Sequence, residues 1–193
     1  LRGPAPQRAV ARDVLAGAQA GPVARPDADI EDLVLPVGPL GHTDIRIVRP
    51  KGSTGRLPAI LYVHGGGWVL GDKATHDRLV REIAVGAGAA VVFVDYHRSP
   101  EAQYPVPGEE AYATLAYIAA HADRFNIDAT RIAIAGDSVG GALAAAVTLM
   151  AKDNTASMPP RIVPTARNGM PSVEKTSACR KRSQLAAGLP KNS

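Results

Sequence analysis

Residues Arg131–Lys152, RIAIAGDSVGGALAAAVTLMAK, decide how this chain is read. Ile132, Ala133 and Ile134 form a short apolar run suited to a buried strand, and the alanine-rich stretch after Val139 predicts a helix. Between them lies Gly136-Asp137-Ser138-Val139-Gly140-Gly141. A serine hydroxyl is a weak nucleophile. To attack, it must be held clear of the sheet, within reach of a base, and beside amides that can receive negative charge. A strained strand-to-helix turn meets these needs. Glycine is required two residues either side of Ser138 because strand and helix cross too closely for a Cβ, and the helix N-terminus adds a favourable dipole. G-x-S-x-G is short enough to arise by chance; its position, after a strand pattern and at the opening of a helix, gives it weight.

A second marker lies upstream in Pro58–Leu70, PAILYVHGGGWVL. The β-prone run Ile60-Leu61-Tyr62-Val63 ends in His64-Gly65-Gly66-Gly67-Trp68. Consecutive glycines let backbone N–H groups turn toward an anion, since no side chain blocks the approach. A phosphate-binding loop would need G-x-x-x-x-G-K-[ST], which the chain lacks. In combination the two loops resemble the hormone-sensitive-lipase family of α/β-hydrolases, in which HGGG precedes G-D-S-A-G-G; Val139 stands at the usual alanine. Asp95-Tyr96-His97-Arg98-Ser99-Pro100-Glu101 extends the likeness to the family's D-Y-R-L-A-P-E, departing at His97, Arg98 and Ser99.

The resemblance implies an α/β fold with a mainly parallel sheet flanked by helices, and with the HGGG strand beside the elbow strand. It implies Ser138 as nucleophile, the N–H groups of Gly65, Gly66 and Val139 as the oxyanion hole, and His64, Gly67, Asp137 and Glu101 as structural residues near the site. The implied activity is hydrolysis of short to medium acyl carboxylic esters through an acyl-enzyme. A small-molecule ester is the implied partner, with no metal and no organic cofactor. The plant gibberellin receptors resemble this family without its catalytic base, so a non-catalytic small-molecule binder is the alternative.

The chain's 193 residues, 46% of them hydrophobic, suit one domain with a substantial core. The lone Cys179 excludes an internal disulfide or a cysteine-based metal site. No run is long enough to span a bilayer and no signal-peptide order opens the chain, so a cytoplasmic location is expected. No oligomeric state is written in the residues. Residues 8–20 predict a helix ended by Gly21-Pro22, and residues 1–29 are assigned, by the resemblance, to a cap over the site. Leu33, Leu35 and Val37, then Ile45 and Ile47, predict an antiparallel strand pair. His76–Val85 and Glu109–His121 have helical spacing, Gly86-Ala87-Gly88 reads as a helix stop, Ala90–Val94 as a fully buried strand, and Asn126–Thr130 as a turn. Residues 30–153 thus make a partial hydrolase core.

The pattern breaks near Asp153. The five histidines, at 42, 64, 76, 97 and 121, all precede Ser138, whereas in this family an acid and then a histidine follow the serine. Beyond Asp153 the only acid is Glu174. Residues 1–160 hold 15 Lys and Arg against 17 Asp and Glu, a net of −2; residues 161–193 hold 7 against 1, a net of +6. Residues 154–193 are therefore expected to be a disordered basic tail foreign to the fold, from a shifted frame or a truncated product. The last strands would be missing and the elbow strand left as an open sheet edge. The cluster Arg180-Lys181-Arg182 lacks interleaved aromatics or helical periodicity, so no nucleic-acid partner is assigned. His97 is a remote candidate to stand in as base, since it follows a strand on the far side of the HGGG strand.

Overall fold

A computed structural model describes residues 5–154 and 162–164. The elements run α1 (Ala5–Gln19), β1 (Ala28–Leu35), β2 (Thr43–Pro50), β3 (Leu57–Val63), α2 (Asp77–Ala87), β4 (Ala90–Asp95), α3 (Val106–Ala120), β5 (Ile127–Gly136), α4 (Val139–Asp153) and β6 (Ile162–Pro164). The strands form one sheet in the order β1-β2-β4-β3-β5-β6. β1 and β2 pair antiparallel, with Leu33 opposite Ile45, and β2 pairs antiparallel with β4. β4, β3, β5 and β6 run parallel.

Alternation along the strands divides the core between two faces. Val91 and Phe93 of β4 pack with Tyr62, Val48 and the Val80 and Ala84 side of α2. Ala90, Val92 and Val94 face the other way, with Leu61, Val63, Ala111, Leu115, Ile118, Ala144 and Val147 from β3, α3 and α4. A central parallel strand covered on both sides must be apolar throughout, which is why AVVFV carries no polar residue. The predicted helices hold, with shifts. α3 starts three residues early because Pro107 sits in its first turn, where a missing N–H costs nothing. Its buried face is Ala111, Leu115, Ile118 and Ala119 together with the polar Glu110 and Thr114, whereas Tyr112 and Ala116 are only half-buried. β5 begins at Ile127, inside the stretch read as a turn, and a register shift between Leu57 and Ala59 accommodates the extra length.

One expectation is corrected. β5 is not the edge of the sheet, because Ile132, Ala133 and Ile134 pair with Ile162, Val163 and Pro164 of β6. The rest of the expected basic tail, including Cys179 and Arg180-Lys181-Arg182, lies outside the described residues.

The stop after α2 is of the left-handed kind. Gly88 has φ 58° and its N–H reaches the carbonyls of Ala84 and Val85. An added Cβ at Gly88 or at the helical Gly86 would meet no atom within 4 Å. Only backbone preference therefore separates the two sites. Gly88→Ala is expected to destabilise by about 1 kcal/mol and Gly86→Ala to stabilise by about 0.5–1 kcal/mol, read as opposite shifts of the urea midpoint.

Candidate active site

Parallel pairing of β3 with β5 sets Val63 opposite Gly136, so the HGGG loop and the G-D-S turn leave the same end of neighbouring strands. Their backbones touch. A Cβ on Gly140 would strike the Val63 carbonyl and the main chain of His64, and one on Gly136 would strike Val63 and Gly140. Ser138 occupies the N-cap of α4 with φ 50° and ψ −123°, a conformation a side-chain-bearing residue rarely adopts. A serine at this position ordinarily caps the helix with its hydroxyl. Here the left-handed φ prevents that: Ser138 makes no side-chain cap, is exposed, and its Oγ has no hydrogen-bond partner among the described residues. The amide of Gly140 bonds back to the Asp137 carbonyl at 2.8 Å and that of Gly141 to the Ser138 carbonyl at 3.0 Å. The N–H of Val139 donates to no group among the described residues, nor do those of half-buried Gly66 and exposed Gly67.

Gly65 is different. Its N–H donates to Asp137 Oδ1 at 2.9 Å, and the Tyr62 hydroxyl donates to the same oxygen at 2.8 Å. The His76 Nε2 lies 3.7 Å away. Burial alone would raise the Asp137 carboxyl, but His76, Tyr62 and the Gly65 amide outweigh it and hold the group well below the usual carboxylate range. The Gly65 amide, expected in the oxyanion hole, is thus engaged in tying the glycine loop to the elbow. The bond between Asp137 and Gly65 is invisible in the motif.

His64 is fully buried, with its ring stacked on Tyr96 at 4.1 Å and 6° and on Phe93 at 5.3 Å and 10°. Nδ1 lies 2.7 Å from the Gly65 carbonyl, which can only accept, so Nδ1 carries the proton. Nε2 is left without a partner among the described residues. The Tyr96 hydroxyl donates to the His64 carbonyl at 2.9 Å, fixing the backbone where the glycines begin. Burial pushes the imidazole down to about 4.

His97 is held elsewhere. Its Nδ1 lies 2.6 Å from Oε1 of Glu110, a fully buried carboxylate, and its backbone N–H donates to Oε2 at 2.9 Å. Its ring meets His42 edge-on at 5.0 Å. It follows β4, across β3 from the strand that carries Ser138. Glu101, expected to be structural, pairs with Arg12 of α1 at 2.9 and 3.1 Å. Among the described residues no group of three or more His, Cys, Asp or Glu could hold a metal ion, and no helix is long and apolar enough to cross a membrane. Glu110, Tyr62, His76 and Arg12 were not found from sequence; no motif marks them, and their partners are 13 to 89 residues away.

Comparison with known proteins agrees with this geometry. A family model described as the alpha/beta hydrolase fold matches residues 60–186, past the point near Asp153 where charge and pattern change. Esterase LipI of Mycobacterium tuberculosis is 43% identical over 130 residues, 66% of this chain and 40% of that protein. Carboxylesterase NlhH of the same organism is 38% identical over 144 residues, covering 75% and 45%. A solved thermostable esterase from Pseudomonas putida superposes with a TM-score of 0.75 at 40% identity, over 83% of this chain and 50% of that one. The chain thus belongs to the α/β-hydrolase fold family, in its hormone-sensitive-lipase branch, and spans half or less of the length of these relatives.

Buried His64 and half-buried Asp95 oppose each other in acid. His64, neutral in the fold and ordinarily near 6.5, contributes stability that is complete above about pH 6.5 and lost as pH falls through about 4. Burial pushes the Asp95 carboxyl, at the end of β4, from 3.8 up to about 6, so its contribution is complete below about 3.8 and lost as pH rises through about 6. Each is worth about 3 kcal/mol, and they nearly cancel. Urea denaturation should show little pH dependence between these limits for the unsubstituted chain. In Asp95→Asn, stability should fall by about 3 kcal/mol from pH 6.5 to pH 4.

Proposed function

We propose that this chain carries the nucleophile and oxyanion-binding parts of a serine carboxylic ester hydrolase acting on short to medium acyl esters. The observation that carries the reading is Ser138: exposed, at φ 50°, not used as a cap, and followed by the Val139 amide, which has no partner among the described residues. Ser138 Oγ attacks the ester carbonyl, and the negative charge that develops on the carbonyl oxygen is received by the N–H groups of Val139 and Gly66, with Gly67 in place of the engaged Gly65. One such donor is worth about 3–4 kcal/mol of barrier. Collapse of the tetrahedral intermediate expels the alcohol, and water then releases the acid from the acyl-enzyme. Curated and solved relatives named as esterases support the substrate class.

Attack also requires a base to take the Ser138 proton, and the residues after Ser138 contain no histidine. His97 is oriented by Glu110 as a general base would be, but on the far side of β3. The 193 residues as they stand are therefore assigned negligible turnover, since loss of the histidine base in a serine hydrolase costs on the order of a million-fold. The second reading, a small-molecule binder that keeps the fold without the chemistry, would use the same Ser138 and the same two glycine loops.

A fluorophosphonate probe followed by intact mass separates the two. Slow covalent labelling that disappears in Ser138→Ala, and is unchanged in His97→Ala, supports the hydrolase site. Absence of labelling at high probe concentration, with saturable binding of an ester, would support the binder.

A further inference from the structure

The turn that presents Gly66 and Gly67 is small and strained. The N–H groups of Val69 and Leu70 both return to the Gly66 carbonyl, at 3.2 and 2.8 Å. Gly66, Gly67 and Trp68 have φ values of 114°, 61° and 61°, the last at a residue with a bulky side chain. Such a turn persists only where its surroundings over-determine it. Two successive carbonyls, of Trp68 and Val69, point out of it, and each is taken by a group from outside. The Ser99 N–H donates to the Trp68 carbonyl at 2.7 Å. Arg12 Nε, from α1, donates to the Val69 carbonyl at 2.8 Å.

The same guanidinium closes the circuit. Its Nη2 donates to the Ser99 carbonyl at 3.0 Å, and Nη1 and Nη2 reach the two oxygens of Glu101 at 3.1 and 2.9 Å. One planar group thus joins the loop after β3 to the loop after β4, in a geometry that only a rigid five-donor fork supplies. Glu101 is 58% exposed and Arg12 only 24%, so the carboxylate is the solvated end and the bonds to the two carbonyls are the sheltered ones. α1 makes no other side-chain hydrogen bond to the turn among the described residues.

We propose that Arg12 is a positioning residue for the oxyanion-binding turn, making α1 a working part of the site through the carbonyls of Val69 and Ser99. The functional consequence rests on the reading of Gly66 and Gly67 as oxyanion donors; the structural hold does not.

Hydrogen exchange by mass spectrometry on the 193-residue chain tests the hold. In Arg12→Met, exchange of the 66–70 segment should speed about tenfold or more, as sheltered charge-assisted bonds are lost, with β3 and β4 unchanged. Arg12→Lys should not restore protection, because an ammonium cannot span the acceptors in one plane. Glu101→Gln, which leaves both carbonyl bonds, should change exchange by less than about threefold. Unchanged exchange in Arg12→Met, equal acceleration in Glu101→Gln, or acceleration spread through β3 and β4 would each overturn the proposal. Fluorophosphonate labelling of Ser138 tests the consequence: its rate should drop about tenfold in Arg12→Met without rescue by lysine. If the turn opens but the labelling rate holds, positioning is refuted. If the unsubstituted chain is not labelled at all, the hydrolase reading fails, and the exchange result still decides whether Arg12 holds the turn.

Discussion

Gly140 lies so close to the carbonyl of Val63 and the backbone of His64 that no side chain fits between them, and the rest of the site follows from that contact. It brings the start of α4 against the end of β3, so that a helix N-terminus and a glycine loop face one another across a main-chain distance. Two strands that run in parallel deliver their following loops to the same end of the sheet, and here the close approach locks the two loops in register. The Asp137 bond to the Gly65 amide is then a short reach, and the strained backbone of Ser138 is held from both sides.

Behind the glycine loop stands a column of rings. His64 stacks between Tyr96 and Phe93, each presented by the sheet and its following loop, and one nitrogen is spoken for by the Gly65 carbonyl. A phenylalanine could fill that slot but could not hold the carbonyl. A charged imidazole could hold it but could not be buried so deeply without large cost. A neutral histidine satisfies both, which accounts for the residue that precedes the glycines.

Much of this could be read in advance, and the reasons are local. Ala90–Val94 announces a covered parallel strand, Leu33 and Ile45 announce a half-covered pair, and G-D-S-V-G-G between a strand pattern and a helical one marks the elbow. What escaped are interactions that sequence spacing does not encode. The engagement of the Gly65 amide depends on where the Asp137 side chain points, not on either motif alone. Glu110 looks like an ordinary surface residue of an amphipathic helix until the fold turns it beneath His97. α3 has apolar residues on most of its circumference, so periodicity cannot choose among faces: Tyr112 and Ala116 sit half-buried while Glu110 and Thr114 are buried. β6 is three residues long in a polar, proline-bearing stretch, too short for any periodicity to register.

Because Asp137 answers to Tyr62, Gly65 and His76 at once, these four positions behave as a linked set. A substitution at residue 137 alone removes one of the glycine loop's tethers. Combinatorial libraries aimed at altered selectivity would do better to vary the four together, or to leave all of them fixed and explore Val139, whose side chain makes no hydrogen bond to the neighbouring loop.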